Sequence, residues 1–205
     1  MARSYGDRCG VARALDLVGE RWALLVVREL LLGPKRFTDL RAGLPHVGPD
    51  VLSQRLRELE AAGLVRKRSL DPPAPARVYE LTERGAQLEP VILELGRFGS
   101  VAPFPEGDAT FGPDALALAL KTLYTPGGAP TQVALRLGGQ DFRAGDDGAA
   151  LTLERGSAED PDASIEAEPG PLAAVLWHGA GLEGVTITGD RRAAKRFLKR
   201  FPLPA

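Results

Sequence analysis

Apolar residues recur at helical spacing from the start of the chain. Val11, Ala14, Leu15 and Val18 share one stripe and predict a helix from Gly10 to Val18. Trp22 to Leu32 is apolar almost all round, the pattern of a buried central helix, and Gly33-Pro34 closes it. Phe37, Leu40 and Leu44 predict a short third helix ended by Pro45. Gly48-Pro49-Asp50 then supplies a permissive cap, a proline at the first helical position and an acid near the positive helix end. A fourth helix is therefore expected from Pro49 to about Ala62, stopped by Gly63. Two β-rich runs follow, Leu64 to Arg68 and Arg77 to Leu81, joined by a proline-rich loop from Asp71 to Ala76. Thr82 is read as the N-cap of one last helix, in which Leu88, Val91, Ile92, Leu95 and Phe98 share a stripe.

The second half has a different pattern. Pro113 to Leu123 reads as an apolar helix. Gln132 to Leu137 alternates, turns at Gly138-Gly139 and is expected to pair with Asp141 to Ala144. Ala150 to Arg155 and Ala163 to Glu168 alternate too, Pro171 to Trp177 forms a short helix, and Gly184 to Asp190 a strand and turn. Arg191 to Phe201 is a final amphipathic helix. The order predicts an α+β domain whose sheet has one face covered by helices.

Composition adds a division. The 205 residues carry 26 Lys+Arg and 27 Asp+Glu, a net charge of −1, which at first argues against nucleic acid. Residues 1–99 hold 16 basic and 13 acidic side chains, and residues 100–205 hold 10 and 14. The break lies beside Gly99 to Gly107, whose glycines and prolines read as a linker. The expected organisation is 1–99, a linker over 100–107, and a second domain over 108–205. A lone cysteine, Cys9, excludes an internal disulfide framework and multi-cysteine zinc patterns. With two histidines, His46 and His178, no metal site and no cofactor are expected. No run approaches the ~18 apolar residues of a membrane span, and the charged start of the chain has no signal-peptide core. A cytoplasmic location without membrane insertion is expected.

On a wheel of 100° per residue, Leu52, Leu56 and Leu59 form the buried side of the fourth helix. Asp50, Gln54 and Arg57 fall opposite, with Pro49 at the start and Ser53 at the edge. Gln and Arg are suited to bidentate contact with adenine and guanine edges, and a helix fits the major groove. Arg66, Lys67, Arg68 and Arg77 on the β runs are suited to phosphate or minor-groove contact. Lys35, Arg36 and Thr38 open the third helix, where backbone N–H groups hold a phosphate. Lys35, Arg36, Arg57, Arg66, Lys67, Arg68 and Arg77 are all expected to face one way. Helix, tight turn, helix and hairpin is the order of a winged helix-turn-helix; a solvated polar face in another small α+β domain is the alternative.

Four motifs sharpen this. Cys9-Gly10-Val11-Ala12-Arg13-Ala14-Leu15-Asp16-Leu17-Val18-Gly19-Glu20-Arg21-Trp22 resembles the opening of the HxlR family of bacterial winged-helix transcription regulators. So do Leu30 to Leu40, Leu52 to Glu60, and Tyr79 to Gly85. Gly10 stands where the family usually has Pro, and Gly48 where Ser is frequent. The resemblance implies a homodimeric DNA-binding regulator, read as a repressor, on a pseudo-palindromic double-stranded operator. Its dimer seam would use Val11 and Leu15 of the first helix with Leu88, Val91, Ile92, Leu95 and Phe98 of the last; packing of that stripe on the second domain is the alternative. Some relatives sense electrophiles or oxidants at the cysteine matching Cys9, which needs an exposed thiol of lowered pKa. Arg8 and Arg13 are candidates for lowering it, while the opposing reading is a small buried hydrophobe.

Residues 104–201 resemble the SCP2 (sterol carrier protein) fold, chiefly through Ala163 to Leu172 and Val185 to Ala194. The resemblance implies a mostly antiparallel sheet and a cleft for a lipid or other small apolar ligand. Leu135, Leu137, Leu151, Leu153, Ile165, Leu176, Val185 and Ile187 are its candidate lining, with an ordinary filled core as the alternative. Arg191, Arg192, Lys195, Arg196, Lys199 and Arg200 make the last helix basic. Such a helix binds anionic surfaces or DNA, or else complements its own negative end. Three functions stay open: a ligand-controlled regulator, a regulator whose second domain only packs (with Cys9 or nothing as sensor), and an SCP2-linked enzyme. No phosphate loop or nucleophile elbow supports the third.

Overall fold

The computed structural model describes residues 4–70, 76–103 and 111–204. The chain separates into two compact units, Met1–Ile92 and Leu93–Ala205.

The first unit holds α1 (Gly10–Val18), α2 (Ala23–Leu30), α3 (Phe37–Gly43), α4 (Pro49–Ala61), β1 (Val65–Leu70), β2 (Ala76–Leu81) and α5 (Glu83–Ala86). It also includes the start of α6 (Glu89–Ser100), inside which the division between units falls. Val26, Val27 and Leu30 of α2 pack with Leu40 of α3, Leu52, Leu56 and Leu59 of α4, and Leu64 and Val65 entering the hairpin. Each such side chain contributes about 1.5–3 kcal/mol by leaving water, so α2 is the post around which the unit is built. The hairpin is antiparallel, with Arg66 opposite Glu80, Lys67 opposite Tyr79 and Arg68 opposite Val78. Lys35 extends it: its N–H donates to the Tyr79 carbonyl at 2.9 Å and its carbonyl accepts from the Tyr79 N–H at 2.8 Å. The segment before α3 is thereby stitched to the wing.

Two expectations change here. Trp22 precedes α2 instead of opening it, held at a left-handed φ of 78°, a cost of about 1–3 kcal/mol for a bulky residue. Its indole packs on the core. The expected single last helix is broken into α5 and α6, because Pro90 has no N–H to continue the ladder and its ring would strike the carbonyl four residues back. Thr82 does cap α5, accepting from the Gly85 N–H at 3.1 Å. Residues 71–75 of the proline-rich loop and 104–107 of the expected linker lie outside the described residues.

The second unit continues with α7 (Pro113–Leu123), β3 (Thr131–Leu137), β4 (Gln140–Asp146), β5 (Leu151–Arg155), β6 (Ala163–Ala167), α8 (Pro169–Trp177), β7 (Val185–Gly189) and α9 (Arg191–Leu198). The five strands lie in the order β5-β4-β3-β6-β7. All neighbours are antiparallel except β3 and β6, so the unit is α+β with a mostly antiparallel sheet. Alternation sends Val133, Leu135, Leu137, Phe142, Leu153 and Ile165 to a buried inner face, against which α7 and α9 pack. Asp146 ends β4 as a buried hub and is not the simple turn acid its setting suggests. It accepts from the Tyr124 hydroxyl, from Arg200 Nε at 3.3 Å and from the Gly148 N–H at 2.8 Å. Asp147 beside it is the turn acid, accepting from the N–H groups of Ala149 and Ala150. Among the described residues no helix is long and apolar enough to cross a membrane.

Candidate nucleic-acid interface

Leu52, Leu56 and Leu59 anchor α4 in the core, so the opposite side of the helix must face solvent. Pro49, Asp50, Gln54 and Arg57 are exposed there and Ser53 is half-buried at the edge. The face is organised before any ligand arrives. Gln54 Nε2 donates to Glu58 Oε1 at 2.6 Å, and Arg57 donates to Gln54 Oε1 at 2.7 Å. A base edge would replace these local bonds with bidentate ones of the same kind. At the start of α3, Arg36 and Thr38 are exposed, and the Arg36 N–H is capped by Asp39 at 3.0 Å.

The wing departs from expectation. Its register puts Arg66 and Arg68 on one face, where both Nε atoms share the Glu80 carboxylate at 2.7 and 2.9 Å. Lys67 and Arg77 occupy the other face by alternation. Lys67 donates to Glu60 of α4 at 3.0 Å and lies over the Tyr79 ring. The bond to Glu60 holds its ammonium above the ordinary lysine range, although the neighbouring Arg57 charge opposes this. The seven cations therefore do not all face one way, because strand geometry separates neighbours that a sequence reads together. Glu60 and Glu80, which hold Arg66, Lys67 and Arg68 in place, lie inside two of the family-like stretches but were not singled out there; their signal is the cross-strand partner of Arg66 and the side of α4 nearest the hairpin.

Lys35 is a correction. Expected as an outward phosphate contact, it is only 6% exposed and its ammonium is ion-paired with the buried carboxylate of Glu29. The Tyr79 bridge fixes its backbone so that the side chain points inward, and a buried Glu29 needs a cation.

Cys9 is exposed and caps α1. Its side chain makes no capping hydrogen bond, yet the Val11 and Ala12 N–H groups at the helix start draw the thiol below its ordinary pKa. Their pull, and not the expected Arg8 or Arg13, is the cause. Val11, Leu15, Val91, Leu95 and Phe98 are exposed, Phe98 to 81%, while Leu88 and Ile92 pack on the first unit's core.

In the second unit, the seven strand residues expected to line an apolar cleft all fall on the inner face; Leu151, Val185 and Ile187 are half-buried, as is Leu176 of α8. A cleft of about 310 Å³ opens instead on the outer face of the sheet. Its walls are outer-face side chains: Arg136, Asp141, Glu166 and hydroxyls such as those of Ser164 and Thr186. Arg136 and Asp141 form a two-bond ion pair there at 2.8 and 3.3 Å. It holds the carboxyl below and the guanidinium above its usual range.

A helix anchored by three leucines, presenting Gln and Arg outward beside a cation-bearing hairpin, defines a winged helix-turn-helix of the DNA-binding class. The HxlR-like helix-turn-helix model matches residues 17–103. The uncharacterized HTH-type transcriptional regulator YvaP of Bacillus subtilis is 40% identical over 89 residues, spanning 43% of this chain and 82% of that protein. The HTH-type transcriptional regulator YodB of the same organism is 39% identical over 83 residues, 40% of this chain and 73% of that one. Among solved structures, the redox regulator HypR in its oxidized form has 34% identity and a TM-score of 0.42, covering 47% of this chain and 100% of that chain. The chain belongs to the HxlR-like helix-turn-helix family. Its relatives are HTH-type transcriptional regulators, and membership implies binding to DNA.

The interior position of Lys35 has a direct test. Lys35→Ala removes one of the two cations paired with the buried Glu29 and leaves Arg28, so it should lower stability by about 1–3 kcal/mol. Urea unfolding followed by circular dichroism reads this. An unaltered midpoint, with weakened DNA affinity alone, would return Lys35 to the surface.

Proposed function

We propose that this chain is a transcriptional repressor that binds a pseudo-palindromic operator as a homodimer. The observation that carries this reading is the outward row Asp50, Gln54 and Arg57 on a helix whose other side is fully buried. α4 enters the major groove, Gln54 and Arg57 read base edges, and Pro49, Asp50 and Ser53 set the approach of the helix start. Arg36 and Thr38 meet phosphates at the N-terminus of α3. Lys67 and Arg77 contact the backbone from one face of the wing, with Arg66 and Arg68 on the other.

Dimerisation is supported by the apolar side chains left in water: Val11 and Leu15 on α1, and Val91, Leu95 and Phe98 on α6. A monomer rarely leaves so many large apolar side chains exposed on two helices. Two copies joined there would present two recognition helices to one operator. The second unit is read as an SCP2-like domain, supported by a mostly antiparallel sheet with helices on one face. Its half-buried inner-face residues Leu151, Val185 and Ile187, with Leu176, are where an apolar ligand would enter. No enzymatic step belongs to this reading.

Cys9 favours a second mode of control. Exposed, and drawn toward the thiolate by the start of α1, it has the two properties an electrophile or oxidant sensor needs.

Gln54→Ala or Arg57→Ala should reduce discrimination between operator and mutated operator by about 1–3 kcal/mol. Lys67→Ala or Arg77→Ala should weaken all sequences alike and flatten the salt dependence. Equal weakening by all four, with sequence preference intact, refutes the placement of α4. For Cys9, the rate of alkylation by iodoacetamide should rise with pH through an inflection below that of free cysteine, since the thiolate reacts; an inflection at or above the free value removes the sensor reading. For the second unit, mass spectrometry of a solvent extract of the purified protein should find a bound apolar molecule, and an extract free of lipid leaves the unit as a packing module.

A further inference from the structure

The last helical stretch carries six cations, and the structure divides them. Arg200 is half-buried, bonded to Asp146 and Tyr124 and stacked over the Tyr124 ring; it fastens the end of the chain to the unit. Arg191, Arg192, Lys195, Arg196 and Lys199 are exposed. At 100° per residue these five fall within an arc of about 140°. The other side of α9 buries Ala193, Ala194 and Phe197. Among the described residues no ion pair engages any of the five. The acid at the helix border, Asp190, accepts from the N–H groups of Arg192 and Ala193 at 2.7 and 3.1 Å. These bonds, with the weaker pull of the nearby Arg196 and Arg192 charges, hold its carboxyl below the usual range without forming an ion pair.

Stability does not account for this row. Cations are favourable in the last turn of a helix and unfavourable in the first, where the helix end is already positive. Arg191 and Arg192 stand in the first turn, and like charges one turn apart repel. The exposed arc carries no apolar residue to enter a lipid surface, since the aromatic side chain of the helix faces the core. Aside from the six cations of this last helical stretch, residues 100–205 carry 4 basic and 14 acidic side chains. The unit is thus an acidic body with one basic edge, a dipole that turns α9 toward a polyanion. From Arg191 to Lys199 the row runs about 12 Å, over which duplex DNA carries about seven phosphates.

We propose that the exposed face of α9 binds the phosphate backbone of duplex DNA. It forms a second, sequence-independent contact that adds to the winged helix-turn-helix, and it rests on the reading of the chain as a DNA-binding regulator. The link between the two units makes this second engagement intramolecular and raises its effective concentration.

The test uses the full chain with Arg192→Gln, Lys195→Gln and Lys199→Gln combined. Fluorescence anisotropy on a 40-base-pair duplex of arbitrary sequence, between 50 and 200 mM salt, gives the slope of log affinity against log salt. Removing one cation from a phosphate should reduce that slope by about 0.9, and removing three by about 2.7. Thermal melting should be unchanged, because all three side chains are exposed. Arg57→Ala serves as the second variant and should keep the α9 share of the slope. Coincident slopes for the triple variant and the unsubstituted chain overturn the proposal alone. Failure of the unsubstituted chain to bind any duplex overturns it together with the regulator reading. Binding to phosphatidylserine vesicles that the triple variant abolishes, with its DNA slope intact, overturns it in favour of a membrane surface.

Discussion

A single buried carboxylate sets the geometry of the DNA-binding unit. Glu29 lies near the end of α2, 1% exposed, and takes its counter-charge from Lys35 and from Arg28 at 2.8 Å. Lys35 is at the same time the residue whose backbone pairs with Tyr79 of the wing. On its other side Glu29 lies against Gly43 at the end of α3, where any Cβ would collide with the carboxylate. Central helix, turn and wing therefore meet at one charge. Such a pair adds little net stability over an apolar replacement of equal shape, but a half of it left alone is costly. Its effect is to select one placement of the wing against the helices, and the candidate base-reading face depends on that placement.

The same matching of charge runs through both units. Arg66 and Arg68 are matched by Glu80, Lys67 by Glu60, and Arg55 by Glu58 with a longer contact to Glu20 at 3.5 Å. In the second unit Arg155 meets the buried Asp114, and Arg143 meets Glu154. Matched pairs at the surface contribute little to stability, but they hold long side chains in defined places. In the proposed complex a phosphate reaching Arg66, Lys67 or Arg68 would take the place of a carboxylate already held there rather than order a free side chain. On α9, by contrast, five cations share one exposed face with no ion pair among the described residues.

Periodicity carried most of the local structure. The leucines of α4 and the alternation of the second-unit strands placed each buried face correctly, because burial follows directly from a repeat of 3.6 or 2 residues. The hairpin turn at Gly138-Gly139 was equally legible, since both glycines hold positive φ. Pro90 sits within an otherwise uninterrupted apolar stripe, where its missing N–H outweighs the hydrophobic pattern. Lys35 misled for a different reason, and Asp146 shows the same effect. Each is a charged side chain in a segment that reads as a loop or turn, and such segments are assumed to face water. Their burial depends on partners distant in sequence, Tyr79 for the first and Tyr124 and Arg200 for the second.

Residue order alone was enough for the type of most elements, the family of the first part, and the polar side of α4. All of these rest on spacing within one short segment or on motifs read in line. The parallel pairing of β3 with β6, the two-faced distribution of the wing cations and the inward turn of Lys35 required the folded chain. Each depends on which segments become neighbours in space. A cation faces DNA or an internal acid according to the strand register and the carboxylate across from it, and neither is a property of the cation's own position in the chain.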